Sequence, residues 1–209
     1  VVDKEYGGFL TYLDSKGNPA EGTIKTLVGT TRAIFNNASI YRSGIKDKEY
    51  LEIASQGVDF LLNNFSDKVH GGFYWTCERD GTPIDKSKIT YGHSFAIYAL
   101  AEYSLASKND KGIKLAIKTL EDLDSNAMDK DNGGYREFME FDWKNKKPGE
   151  YGGDRKTFDT HMHLMEAFTN LYEATKSKEH YKKTLEIIEL IDSKILHPKY
   201  RTGQAQFTF

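Results

Sequence analysis

Three glycine pairs, each followed by an aromatic residue, punctuate the chain: GGF at 7–9, GGF at 71–73 and GGY at 133–135, spaced 64 and 62 residues apart. Self-similarity at a fixed period restricts a chain to repeat architectures, in which each unit buries its apolar face only against its neighbours. Behind the first two pairs come YLDSKGNP (12–19) and TCERDGTP (76–83), extended runs that close on a Gly-x-Pro turn. Each glycine pair therefore opens a short β-hairpin.

A helix follows each hairpin, and the three align on a tyrosine: TRAIFNNASIYR (31–42), HSFAIYALAEYS (93–104) and MHLMEAFTNLYE (162–173), with Tyr41, Tyr103 and Tyr172 marking the register. A second helix then comes in each unit, at 48–62, 111–123 and 180–192, with apolar residues at intervals of three and four. The second helices carry lysines and glutamates on one side, as an outer ring facing water does, and the less charged first helices face inward. The predicted class is all-α: αα units that close into a toroid, with the N-terminal ends of the inner helices lining a central funnel. After the third outer helix, HPKYRTGQAQFTF (197–209) restarts the hairpin pattern. Residues 1–209 are thus read as a single domain belonging to a longer ring, because three open pairs would expose a large apolar surface.

Charge excludes some partners. With 29 Lys+Arg against 31 Asp+Glu the net charge is -2, so neither nucleic acid nor an acidic membrane surface is indicated. Cys77 is the only cysteine, which rules out an intrachain disulfide and a cysteine-based zinc cluster. No apolar run reaches the roughly 18 residues of a membrane helix, and VVDKEYGG lacks the basic and apolar regions of a signal peptide. A cytoplasmic protein, monomeric or homodimeric, is the expectation. The aromatic share, 13%, with 13 Tyr and 12 Phe, suits either a sugar-stacking site or plain core.

Nine residues before each aligned tyrosine stand Arg32, Ser94 and His163. As one structural position in successive units they converge on the funnel, bringing a cation, a hydroxyl beside His93 and an imidazole together. Glu166, one turn beyond His163 at i+3, is placed to orient that imidazole. His161 shares its helical row with Met165, Phe168 and Tyr172 and reads as core. Tyr91 and His93 open the second inner helix at the same mouth and are candidate substrate contacts. A shared metal on His161 and His163 is disfavoured, because a spacing of two turns helical side chains about 200° apart. There is neither a phosphate-binding loop nor a G-x-S-x-G nucleophile elbow.

Together GGFLTYLDSKG, TTRAIF, GGFYW with DGTP, YGHSFAIYALAEY, GGYREF and GGDRKTFDTHMHLMEAFTNLYE run through nearly the whole chain, and they resemble the N-acylglucosamine 2-epimerase superfamily, most closely its cellobiose and mannose 2-epimerase branch. The resemblance implies an (α/α)6 barrel of six helical hairpins, about three of them here. It implies epimerisation or isomerisation of a free reducing sugar at the carbon beside the carbonyl, by histidines and without metal or cofactor. Arg32 then matches the arginine that contacts the sugar and its enediolate, and His163 the histidine of the helix-opening motif. Asp159 stands where relatives commonly have asparagine. The family's two acid/base histidines belong to later motifs absent from these 209 residues. Two rivals remain: a glycoside hydrolase on the same toroid, drawing carboxylates from Asp131, Asp154 and Asp159, and a carbohydrate-binding module without turnover. Tyr74, Trp75 and Trp143 are the aromatics expected to set the size of the sugar.

Overall fold

The computed structural model describes residues 1–45, 47–203 and 205–207. A strand, β1 (Ile24–Thr26), leads directly into the helix α1 (Leu27–Arg42), and α2 (Lys48–Phe60) returns antiparallel to it, ending in a π-helical turn, Leu61–Phe65. The unit repeats as β2 (Thr76–Glu78), β3 (Lys88–Ile89), α3 (Thr90–Ser107) and α4 (Asp110–Asn126). It repeats again as β4 (Phe138–Met139), β5 (Lys156–Thr157), α5 (Phe158–Thr175) and α6 (Lys178–Leu190), with a second π-helical turn at Ile191–Ile195 before β6 (Gln206–Phe207). The inner helices start three or four residues earlier than periodicity predicted. Their first turns, LVGT, TYGH and FDTH, are set by caps and strand ends rather than by an apolar stripe. Thr26 and Thr157 accept hydrogen bonds from Gly29 and Thr160 N–H, while α3 begins on Ile89, which has no capping side chain.

The inner helices α1, α3 and α5 pack side by side, and each outer helix lies against its own inner one. Central α3 is buried almost all round, as its mostly apolar sequence requires, its one carboxylate, Glu102, being buried as well. The sheets link units rather than closing within them: β1 pairs with β2, β3 with β4 and β5 with β6, all antiparallel, so the strand before each inner helix pairs with the hairpin of the next unit.

Three buried ion pairs recur with the repeat. Asp3, Asp67 and Asp129 meet Lys25, Lys88 and Lys156 at 3.1, 2.8 and 2.7 Å. Each aspartate also accepts two N–H groups of its own glycine turn, and each lysine comes from the strand before the inner helix. Burial pushes these carboxyls up, but the hydrogen bonds from lysine, from Arg79 at Asp3 and from the turn hold all three well below the usual carboxylate range. In the fourth hairpin His197 takes the aspartate's place, its Nδ1 accepting from Lys199 and Tyr200 N–H.

Two histidines make a second tie. His93 donates from Nδ1 to the Ile89 carbonyl and accepts the Phe73 N–H on Nε2, at 2.8 and 3.0 Å. His161 does the same with the Thr157 carbonyl and the Tyr135 N–H, at 2.7 and 3.1 Å. The glycines admit the rings: Gly72, at φ +67°, would put a Cβ 2.6 Å from His93 Nε2. In the first unit the same position is Thr30, whose buried hydroxyl finds no hydrogen-bond partner among the described residues.

At the far end of the inner helices Arg42 clamps Glu102 through two bonds of 2.7 and 3.1 Å and reaches Glu173 at 3.0 Å, joining α1, α3 and α5. One outer helix, α6, has a more open packing face among the described residues. Leu51, Ser55 and Val58 of α2 lie toward α3, and Ile113, Ile117 and Leu120 of α4 pack into the core beside α5. Their equivalents on α6, Tyr181, Leu185 and Ile188, are 48, 46 and 43% exposed. Among the described residues no helix is long and apolar enough to cross a membrane.

Asp67→Ala leaves Lys88 buried without its counter-ion and is expected to cost about 3–5 kcal/mol in urea unfolding. Burial holds the His93 and His161 imidazoles down at about 4, against an ordinary value of roughly 6.5. Between those values the unfolded chain binds the extra protons, so stability falls as pH drops from about 6.5 toward 4. The urea midpoint should fall across that window in the wild type and change much less in a His93→Gln, His161→Gln variant; equal slopes would refute the assignment.

Candidate active site

The N-terminal ends of α1, α3 and α5 open on one side of the array, and the structure corrects the register there. Measured from the strand ends Thr26, Ile89 and Thr157, the position of Arg32 and His163 is held in α3 by Phe95, not Ser94. The tyrosine of the second unit, Tyr103, stands one residue earlier in its helix than Tyr41 and Tyr172, which shifted the alignment. Ser94 is buried and donates to the Tyr91 carbonyl at 2.7 Å.

Phe95 joins the row. Its ring lies 5.0 Å from the Arg32 guanidinium carbon and 4.5 Å from the His163 ring. Tyr91 touches both, at 5.1 Å from Phe95 and 5.2 Å edge-on from His163. Arg32 is exposed, and among the described residues its side chain makes no ion pair or hydrogen bond. His163 is bonded through Nδ1 to Glu166 Oε2 at 2.7 Å, which leaves Nε2 for a ligand. One turn further in, Phe35 and Tyr98 stack at 3.9 Å and continue the aromatic floor.

Beside this row lies a cavity of about 390 Å³, lined among others by Trp75, Tyr91, Glu137, Asp159, Thr160 and Ala205. Trp75, Glu137 and Ala205 are one repeat position in three successive hairpins. Their main chains cap the preceding inner helices, Trp75 O accepting from Leu27 N–H, Glu137 O from Thr90 N–H and Ala205 O from Phe158 N–H. Asp159, exposed, shares a helical face with His163 at i+4. Burial raises the Tyr91 phenol above its ordinary value, so it is a hydrogen-bond donor at neutral pH.

Of the residues singled out in the sequence, Arg32, Tyr91, Asp159, His163 and Glu166 fall in this one neighbourhood. His93 does not: it is fully buried, with both ring nitrogens spent on backbone groups, and has no atom to offer a substrate. Trp143 is also taken by the fold, its Nε1 donating to the His70 carbonyl and its ring packed 5.1 Å from His93. Trp75 lines the cavity, whereas Tyr74 lies under the Lys88 ammonium. Asp131 and Asp154 are exposed in turns and do not line the cavity beside Asp159. Sequence reasoning missed Phe95, hidden by the shifted tyrosine, and Glu137. The latter sits inside GGYREF, and its signal was a carboxylate at the position where the preceding hairpin has tryptophan.

Fold and site define an αα-repeat protein with a polar and aromatic cavity at the mouth of its inner helices. The chain belongs to the N-acylglucosamine 2-epimerase (GlcNAc 2-epimerase) family, whose profile matches residues 7–203. It is 31% identical over 203 residues to the cellobiose 2-epimerase of Dictyoglomus turgidum, covering 95% of this chain and 51% of that one. It is 26% identical over 179 residues to the D-mannose isomerase of Marinomonas mediterranea, covering 86% of this chain and 43% of the relative. Among solved structures, a sugar epimerase from a ruminal bacterium superposes with a TM-score of 0.90 at 28% identity, covering 99% of this chain and 54% of that one. The chain spans about half the length of the curated relatives it matches.

The corrected register is checked by two neighbours on α3. Phe95→Ala removes the ring shared by Arg32, Tyr91 and His163 and should cost about 3–5 kcal/mol in urea unfolding. Ser94→Ala, which removes one local bond inside the helix, should cost about 1 kcal/mol or less.

Proposed function

We propose that these residues are the first half of a longer (α/α)6 barrel that epimerises or isomerises a reducing sugar at its second carbon. The substrate is a mannose/glucose, cellobiose or N-acylglucosamine type of sugar. The observation that carries the reading is the convergence of Arg32 and His163, from the first and third inner helices, on one aromatic row beside the cavity. Membership of the epimerase family supports the chemistry, and the half-exposed apolar face Tyr181–Leu185–Ile188 supports a further helical unit.

In this reading the sugar ring opens in the cavity, with His163, oriented by Glu166, passing a proton between the ring oxygen and the anomeric hydroxyl. A base then removes the proton on C2, and the electron pair moves through C1 onto the carbonyl oxygen, giving an enediolate. Arg32 holds that oxygen, the role a guanidinium with no counter-ion among the described residues fills well. Return of a proton to the opposite face of C2 gives the epimer; delivery to C1, with the C2 hydroxyl proton passing to the C1 oxygen, gives the ketose. The two proton transfers fall to histidines outside these residues, tuned near pH 7. Tyr91 and Asp159 bind hydroxyls of the substrate.

The test is incubation of the full-length protein with mannose and with cellobiose in heavy water, reading deuterium at C2 by NMR. Incorporation without cleavage supports the proposal, release of a new reducing end points to a hydrolase, and binding without exchange points to a carbohydrate-binding module. His163→Ala in the same protein should lower kcat/KM by about 100-fold or more, the scale of a lost acid/base group. An unchanged value would remove His163 from the mechanism.

A further inference from the structure

Glu137 is 3% exposed, yet it borders the cavity. One carboxylate oxygen accepts the Tyr91 N–H at 3.2 Å. The other accepts the hydroxyls of Thr157, at 3.0 Å, and of Thr160. Its main-chain carbonyl takes the Thr90 N–H and its own N–H donates to the Arg155 carbonyl. A single residue from the third hairpin is thus bonded to the first turns of both α3 and α5. No ion pair serves it among the described residues; the positive ends of two helices face it instead.

The repeat offers a control. At the position of Glu137 the neighbouring hairpins have Trp75 and Ala205, and at the position of Thr160 the other inner helices have Gly29 and Gly92. The fold closes its other junctions without a carboxylate or its hydroxyl partner. The pair occurs where Tyr91 of α3 and His163 of α5 meet ring to ring at 5.2 Å. It also supplies the N-terminal bond that Ile89 cannot give α3.

We propose that Glu137, with Thr160, is a positioning residue of the site: it holds Tyr91 against His163 and Asp159 so that one sugar meets all three. It is given no role at the reacting atoms: it is 3% exposed, and three protein donors take most of its acceptor capacity. The inference rests on the epimerase reading for its effect on turnover, but not for its effect on geometry.

Both are measured in the full-length protein with Glu137→Gln, Thr160→Val and the double variant, and Thr160→Ser as the conservative control. Crystal structures should show the Tyr91 and His163 rings parted in Glu137→Gln with the helices kept; rings still in contact would overturn the proposal, whether or not any sugar turns over. On a sugar that the wild type converts, kcat should fall about 10- to 100-fold with KM changed less than about threefold, as small misplacements do. The double variant should be no worse than the worse single variant, because both break one unit, and Thr160→Ser should stay near wild type. A wild-type kcat in a folded Glu137→Gln protein, or losses that multiply, would overturn it. A wild type inert toward every sugar would instead sink the epimerase reading and leave the crystallographic comparison to decide.

Discussion

A carboxylate and an ammonium buried together, once in each unit, are what the rest of this architecture hangs on. Burying either charge alone would be prohibitive, so the aspartate and lysine must meet, and they can do so at only one relative placement of hairpin and strand. Because the aspartate also gathers the N–H groups of the glycine turn, the turn is fixed with it. Because the lysine immediately precedes an inner helix, the start of that helix is fixed too. In the second and third units a buried imidazole adds a second tie between the same two parts. The mouth of the array is therefore a rigid frame before any functional side chain is considered.

The two ends of the inner helices are built on opposite electrostatic principles. At the C-terminal end Arg42 pairs with both Glu102 and Glu173 and binds α1, α3 and α5 together. At the N-terminal mouth Arg32 lies over an aromatic ring, and its hydrogen-bonding edges are unspent among the described residues. Rigidity at one end and unspent polarity at the other are what a small-molecule site needs, since a loosely held guanidinium would pair with the nearest carboxylate instead.

Departures from the repeat distinguish function from scaffold better than residue type does. His93 and His161 occupy equivalent positions, make equivalent bonds and belong to the frame. His163, two residues beyond His161, has Phe95 and Arg32 as its equivalents, and such divergence at one position in successive units is expected of side chains serving a site rather than a shared core. The same comparison brings out Glu137, which occupies a position held by tryptophan and alanine in the neighbouring hairpins, whereas Trp143 is assigned to the frame by its contacts with the His70 carbonyl and the His93 ring.

The repeat, the alternation of inner and outer helices, the hairpins and the core role of His161 were legible in the sequence, because periodicity and glycine turns are local properties of the chain. So was the grouping of Arg32, His163, Glu166, Tyr91 and Asp159 near helix starts. The destination of His93 was not legible, since an imidazole at a helix opening looks the same whether it faces a cavity or a hairpin folded over it. Nor was the α3 register, which one displaced tyrosine was enough to shift. The ion pairs were equally hidden: Asp67 and Lys88 lie 21 residues apart in segments without periodicity, and only chain reversal brings them together. By itself the sequence determined which segments become helices and turns, as each is decided by neighbours a few residues away. The tertiary structure alone decided which polar side chains are spent inside the frame and which remain at the mouth, because burial and hydrogen-bond partners come from units far apart along the chain.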